Sequence, residues 1–146
     1  MVIKKTTKAY FAGFFDGDGS VTICKRKGRK ANHSSTHYML VQITNYVREP
    51  LKLACETFGG SFHPVKTDKS KAWKWCLTGK KAEIFLENIY PYLMVRKSAV
   101  KLALEFQKTC IRKKYPIRIA TPKWLVKKRD AYKERLILLN KLKYSN

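Results

Sequence analysis

The sequence predicts an α+β domain of order αββαββα, in which a four-stranded antiparallel sheet carries helices on one face, followed by an extra C-terminal helix. Three observations predict it. β-prone runs come in pairs around short polar segments, which makes hairpins rather than parallel crossovers. Helical patterns precede and follow each pair, and glycine or proline marks their ends. Along the runs apolar and polar residues alternate, as expected of a sheet that buries one face only.

The first helix begins around Thr7-Lys8-Ala9-Tyr10, with Thr6 or Thr7 as the N-cap, and Gly19 ends it. Residues 20–26 and 37–44 form a long hairpin around the polar, basic loop 27–36. Pro50 lies in the first turn of a second helix that runs to about Phe58 and stops at Gly59-Gly60. Residues 61–66 and 72–78 make a second hairpin around Thr67-Asp68-Lys69-Ser70-Lys71. Residues 80–89 and 97–109 read as amphipathic helices separated by Pro91, so the last helical stretch is broken in two. Residues 122–143 form the additional helix, opened by Thr121-Pro122, with Leu125, Tyr132, Leu136, Leu139 and Leu142 as its apolar positions. The whole chain, 1–146, is one domain, with a core over about 9–109 and a C-terminal extension over about 121–143.

Alternation assigns the two faces of the sheet. Val21 and Ile23 point to the core in register with Lys25, leaving Thr22, Cys24 and Arg26 on the other side. In the next strand Met39, Val41 and Ile43 point inward, leaving Tyr38, Leu40, Gln42 and Thr44 outward. Apolarity places Trp73, Trp75 and Leu77 in the core and Lys74 outside, although aromatic side chains also contact nucleic acid.

Composition bounds the partner. Lys plus Arg number 32 against 10 Asp plus Glu, a formal charge of +22 on 146 residues, well beyond what solubility requires. Basic residues recur along the chain, at Lys25-Arg26-Lys27 with Arg29-Lys30, across residues 66–74, and at Lys80-Lys81, Arg96-Lys97, Arg112-Lys113-Lys114 and Lys127-Lys128-Arg129. Such spacing suits a long phosphate track, and charge alone does not separate DNA from RNA. No run of apolar residues is long enough to span a membrane, and the N-terminus lacks a secretory signal, so no membrane partner is expected and the protein is expected to be intracellular. Cys24, Cys55, Cys76 and Cys110 are widely spaced, which fits reduced structural thiols better than a zinc site, even though His33 and His37 have zinc-compatible spacing. Repeats and low-complexity tracts are missing, so the chain carries one copy of its acidic motif.

That motif is Phe11-Ala12-Gly13-Phe14-Phe15-Asp16-Gly17-Asp18-Gly19. Small residues at Ala12 and Gly13 allow two helices to approach closely, and Phe11, Phe14 and Phe15 supply apolar area, so the five residues form a candidate dimer seam. The helix ends in Asp18, where the macrodipole is negative and a free carboxylate is unwelcome; a divalent cation resolves that conflict. A calcium loop with Asp16, Asp18 and Ser20 as ligands fails, because its glycine position holds Val21 and its bidentate glutamate position holds Lys27.

At Ala12, Gly13, Asp16, Asp18 and Gly19 the segment resembles the signature of the LAGLIDADG homing endonucleases, and residues 9–109 follow the element order of one such domain. The resemblance implies the fold of that family, with its sheet laid along the DNA major groove. It also implies metal-dependent hydrolysis of both DNA strands, with magnesium (or manganese) held by Asp18 and the Gly19 carbonyl. Asp16 supports the helix end. The family's water-orienting amide falls at Asn45, its phosphate-facing basic residue at Arg48 with Glu49 as the alternative, and its catalytic lysine at Arg96 with neighbouring Lys97 as the alternative register. Candidate DNA contacts are Thr22, Cys24, Arg26, Arg29, Tyr38, Leu40, Gln42, Thr44, Lys66 and Lys74, with Gln42 suited to a base edge and Leu40 and Cys24 to thymine methyls.

One motif per chain implies a C2 homodimer on a long, near-palindromic site. Two alternatives share the fold: an intron RNA-binding maturase and a catalytically silent DNA-binding regulator. An organellar (chloroplast or mitochondrial) and a prokaryotic cytoplasmic setting are equally compatible with the sequence.

Overall fold

The structure is a computed structural model that describes residues 2–28, 35–110 and 121–142. Its helices are α1 (Lys5–Asp18), α2 (Arg48–Phe58), α3 (Gly79–Ile89), α4 (Lys97–Lys108) and α5 (Lys123–Leu142). The strands are β1 (Gly19–Arg26), β2 (Thr36–Asn45), β3 (Ser61–Lys66) and β4 (Lys71–Thr78). The expected order holds, and a single 3-10 turn at Tyr90–Tyr92 carries Pro91 between α3 and α4. The expected threonine N-cap does not form. α1 starts earlier, because the Lys4 carbonyl accepts the Lys8 N–H at 3.1 Å and absorbs both threonines into the first turns.

The four strands form one antiparallel sheet of order β1-β2-β4-β3, so each hairpin supplies one central and one edge strand. Thr67 closes the β3–β4 turn, its N–H and hydroxyl both donating to the Ser70 carbonyl. On the inner face Val21, Ile23, Met39, Val41, Ile43, Trp75 and Leu77 are buried, as the alternation requires. They pack beneath Phe11 and Phe15 of α1, Leu51 and Ala54 of α2, Phe85, Leu86 and Ile89 of α3, and Val100 and Phe106 of α4. Phe58, Trp75 and Phe85 meet through ring centroids 4.9 to 6.3 Å apart, in edge-on and tilted arrangements that suit aromatic quadrupoles.

Gly60 is required where α2 turns into β3. It sits at φ 95°, and an added methyl would run into the Cys76 carbonyl. Beside it the Trp75 indole N–H donates to the Gly59 carbonyl at 2.8 Å, so a large buried ring keeps its polar atom satisfied.

α5 folds back onto α4 and β1. Leu136 is buried and Tyr132 and Leu139 are partly buried, whereas Leu142, an expected apolar contact, is 62% exposed near the end of the described helix. Polar anchors hold α5 in place. Asp130 accepts from Lys25 Nζ at 2.9 Å and from His37 Nε2 at 2.8 Å, Arg129 donates to the Thr109 carbonyl at 2.6 Å, and Asn140 donates to the Val21 carbonyl at 3.1 Å. All four cysteines are free. No helix of the described residues is long and apolar enough to cross a membrane.

Candidate active site and nucleic-acid interface

The C-terminal end of α1 sends its two acids to different tasks. Asp16 accepts the Met94 N–H at 2.7 Å through one oxygen and the Arg96 N–H at 2.9 Å through the other. It brackets the segment leading into α4, rather than the end of its own helix. Asp18, the last residue of the helix, is exposed, and its Oδ2 accepts the Asn45 amide at 2.7 Å. Asn45 ends β2, and its own Oδ1 accepts the Val47 N–H at 2.7 Å. Since a backbone N–H can only donate, that second bond fixes which end of the amide faces Asp18.

Gly19 follows at once as the first residue of β1, its N–H donating to the Phe15 carbonyl. It is buried so tightly that an added methyl would overlap the Phe15 ring. The turn from helix to strand therefore places Asp18 where the end of α1 meets the end of β2.

The candidate cations lie differently from one another. Arg48, at the start of α2, is exposed and stacks its guanidinium over the Trp73 and Phe62 rings at 4.9 and 5.9 Å. Arg96, matched by resemblance to the catalytic lysine, is only 6% exposed, lies over the Phe15 ring at 5.8 Å, and keeps its Nε buried without a hydrogen bond. Lys97 is the exposed cation of that segment, its Nζ 5.3 Å from the Tyr90 ring centre.

Among the described residues no three His, Cys, Asp or Glu side chains converge to hold a metal ion. One chain contributes one exposed carboxylate, Asp18, and a hard oxygen donor of this kind fits magnesium, which keeps several waters and takes few protein ligands.

The residues expected to form a dimer seam divide between two sides of α1. Phe11, Ala12 and Phe15 are at 0% exposure within the single chain, because this side of the helix packs on the sheet and on α3. The opposite side carries Ala9, Gly13 and Gly17, all exposed, with nothing within 4 Å of the space beyond either glycine. Phe14 is half-buried and stacks on Tyr10 at 6.1 Å. Spacing of four between the small residues was the sequence signal for this surface, and the eye-catching aromatic residues of the motif hid it.

The outer face of the sheet gathers most of the candidate DNA contacts. Thr22 pairs with Leu40, Cys24 with Tyr38, Gln42 with both Ser20 and Cys76, and Lys74 with both Thr44 and His63. Arg26 stacks on Tyr38 at 5.4 Å. Lys66 does not join them. It pairs with Lys71 and alternates to the side of Trp73 and Trp75, so it points away from Lys74. Arg29 lies outside the described residues. Ser20, His63 and Thr78 share the face and were passed over in the sequence, because pairing register is not visible before the hairpins are aligned.

Neither a family model nor a curated protein matches the sequence. Solved structures do, and they define the class: the chain has the LAGLIDADG homing endonuclease fold. It resembles the archaeal intron-encoded homing endonuclease I-Vdi141I complexed with DNA, with 16% identity, TM-score 0.75, and 92% of this chain aligned to 84% of that one. It is similar to the homing endonuclease I-CvuI in complex with its target in the presence of calcium, with 19% identity, TM-score 0.74, and 92% of this chain aligned to 82% of that one. The I-SmaMI LAGLIDADG homing endonuclease bound to cleaved DNA aligns at 16% identity with TM-score 0.68, covering 86% of this chain but 42% of that one.

Proposed function

We propose that the protein is a site-specific DNA endonuclease that hydrolyses both strands of a long, near-palindromic target as a homodimer. The observation that carries this reading is the exposed Asp18 carboxylate, held by Asn45 where the end of α1 meets the end of β2. A second copy docked through Ala9, Gly13 and Gly17 would bring a second Asp18 to the same seam. Solved structures of the same fold, I-CvuI with its target and I-Vdi141I with DNA, are complexes of this kind, and the charge of +22 suits that partner.

Asp18 and the Gly19 carbonyl would hold a magnesium or manganese ion, which supplies Lewis acidity at the phosphodiester and a more acidic water. The remaining work belongs to the chain. Asn45 orients the Asp18 carboxylate and keeps one of its oxygens engaged. Arg48 and Lys97 offer positive charge to the developing pentavalent phosphate, where fixed charges lower the barrier without reorganising. Leu40, Gln42, Thr44 and Lys74 offer a row of apolar, amide, hydroxyl and ammonium groups to base edges and phosphates.

The test is cleavage of a randomised duplex DNA library, in magnesium, by wild type and by Asp18→Asn. Discrete cuts that vanish in the variant support the proposal. Tight binding with no cuts by either protein points to a silent DNA-binding regulator, a reading favoured by the inward position of Arg96.

A further inference from the structure

We infer that Trp73, with Phe62 beside it, is the positioning residue for the Arg48 guanidinium, an inference that rests on the endonuclease reading above. Phe62 and Trp73 lie on adjacent strands and stack with ring centres 5.0 Å apart and planes 20° from parallel. Such a pair is an offset aromatic stack. Arg48 lies over it, 4.9 Å from the Trp73 centre and 5.9 Å from that of Phe62. Apolarity predicts a core position for Trp73, yet its side chain is only half-buried while Trp75, two residues on, is at 0% exposure.

The stack is tied to the Asp18 site through the backbone. Trp73 is the ladder partner of Asn45, the residue whose amide engages Asp18. The same amide accepts the Val47 N–H and so fixes the chain one residue before Arg48. Arg48 is therefore held at its backbone by Asn45 and at its head group by Trp73. Among the described residues no ion pair involves Arg48. A guanidinium held over aromatic rings keeps N–H donors available for a phosphate contact, which a carboxylate partner would have consumed. Stacking also restricts a side chain that otherwise loses much rotamer freedom on binding.

The experiment is a double-mutant cycle on the full chain, using Trp73→Leu, Trp73→Phe, Arg48→Ala and the Trp73→Leu/Arg48→Ala pair. Three properties are read: the ring-current shift of the Arg48 side-chain protons, the salt dependence of binding to random-sequence duplex DNA, and cleavage of the randomised library. In wild type the Arg48 protons resonate upfield. Trp73→Leu abolishes that shift, lowers affinity and cleavage by about fivefold, the size of an exposed cation–π contact, and shrinks the salt slope by about one. Trp73→Phe restores most of each effect, and Trp73→Leu adds nothing once Arg48 is alanine. Equal losses from Trp73→Leu with and without Arg48, or unshifted Arg48 protons in wild type, would overturn the inference. If Trp73→Leu does not fold, the wild-type Arg48 proton shifts decide: upfield resonances support the inference and unshifted ones overturn it. A wild type that binds DNA but never cuts it defeats the endonuclease reading alone, because the shift and affinity arms still decide the role of Trp73.

Discussion

Asn45 and Asp18, 27 positions apart, are joined by a single side-chain hydrogen bond of 2.7 Å that links the end of α1 to the end of β2. Replacing Asn45 by alanine should leave the fold intact and cost about 10 to 100 times in cleavage, the usual toll for losing a group that orients a metal-binding carboxylate. Asn45→Asp should be worse, since a second carboxylate beside Asp18 raises the proton affinity of the pair. Cleavage rates and calcium titration calorimetry check this, and an Asn45→Ala variant as active as wild type would remove Asn45 from the site.

The two sides of α1 should respond oppositely to substitution. Gly13→Leu projects into open space, so it should leave the fold of the single chain intact while blocking self-association through this side of α1, as sedimentation velocity would report. Phe11→Ala opens a cavity at a residue with 0% exposure and should cost about 3–5 kcal/mol of folding stability, as read by urea unfolding.

Docking of α5 should weaken in acid. The hydrogen bond from Lys25, and after it that from His37, hold the Asp130 carboxyl below its ordinary range. A carboxylate whose folded-state pKa is depressed contributes stability that is fully present above the unfolded value of about 3.9 and is lost as pH falls through the lower folded value. Thermal melts between neutrality and pH 3 should therefore show an acid-side loss that is smaller in Asp130→Asn, with no difference in slope between the two proteins above pH 5. His37 sharpens the test, because a carboxylate acceptor obliges its Nε2 to donate, leaving Nδ1 buried without a partner.

Gly60→Ala should destabilise by more than the few tenths typical of a surface change. At φ 95° a side chain is strained, and the added methyl meets the backbone carbonyl of Cys76 rather than a side chain that can swing aside. A loss of about 1–3 kcal/mol is expected for such a position. Gly13→Ala on the open side of α1 is the matched control, and chemical denaturation of both variants gives the comparison.

Much of the site was legible because its residues sit at element ends. Asp18 closes a helix marked by glycine, and Asn45 closes a β-prone run that starts near Tyr38. Arg48 was legible as a charge but not as a stacked one, since its aromatic partners are two residues on other strands. Arg96 misled for the same reason. Its bulk and charge suggest solvent, whereas Asp16 draws its backbone in and Phe15 covers its head group.

The sequence by itself determined the order of elements, the two hairpins, the inward rows of Val21, Ile23, Met39, Val41 and Ile43, and the acidic end of α1. These rest on local rules, namely periodicity, turn chemistry and capping, which act over a few residues. Tertiary structure alone decided which side of α1 is buried, that Lys66 turns from the sheet's outer face, that Trp73 carries Arg48, and that Asp130 anchors α5 to Lys25 and His37. Those outcomes depend on register and on contacts between residues far apart in the chain, where a shift of one position exchanges the two faces of a strand.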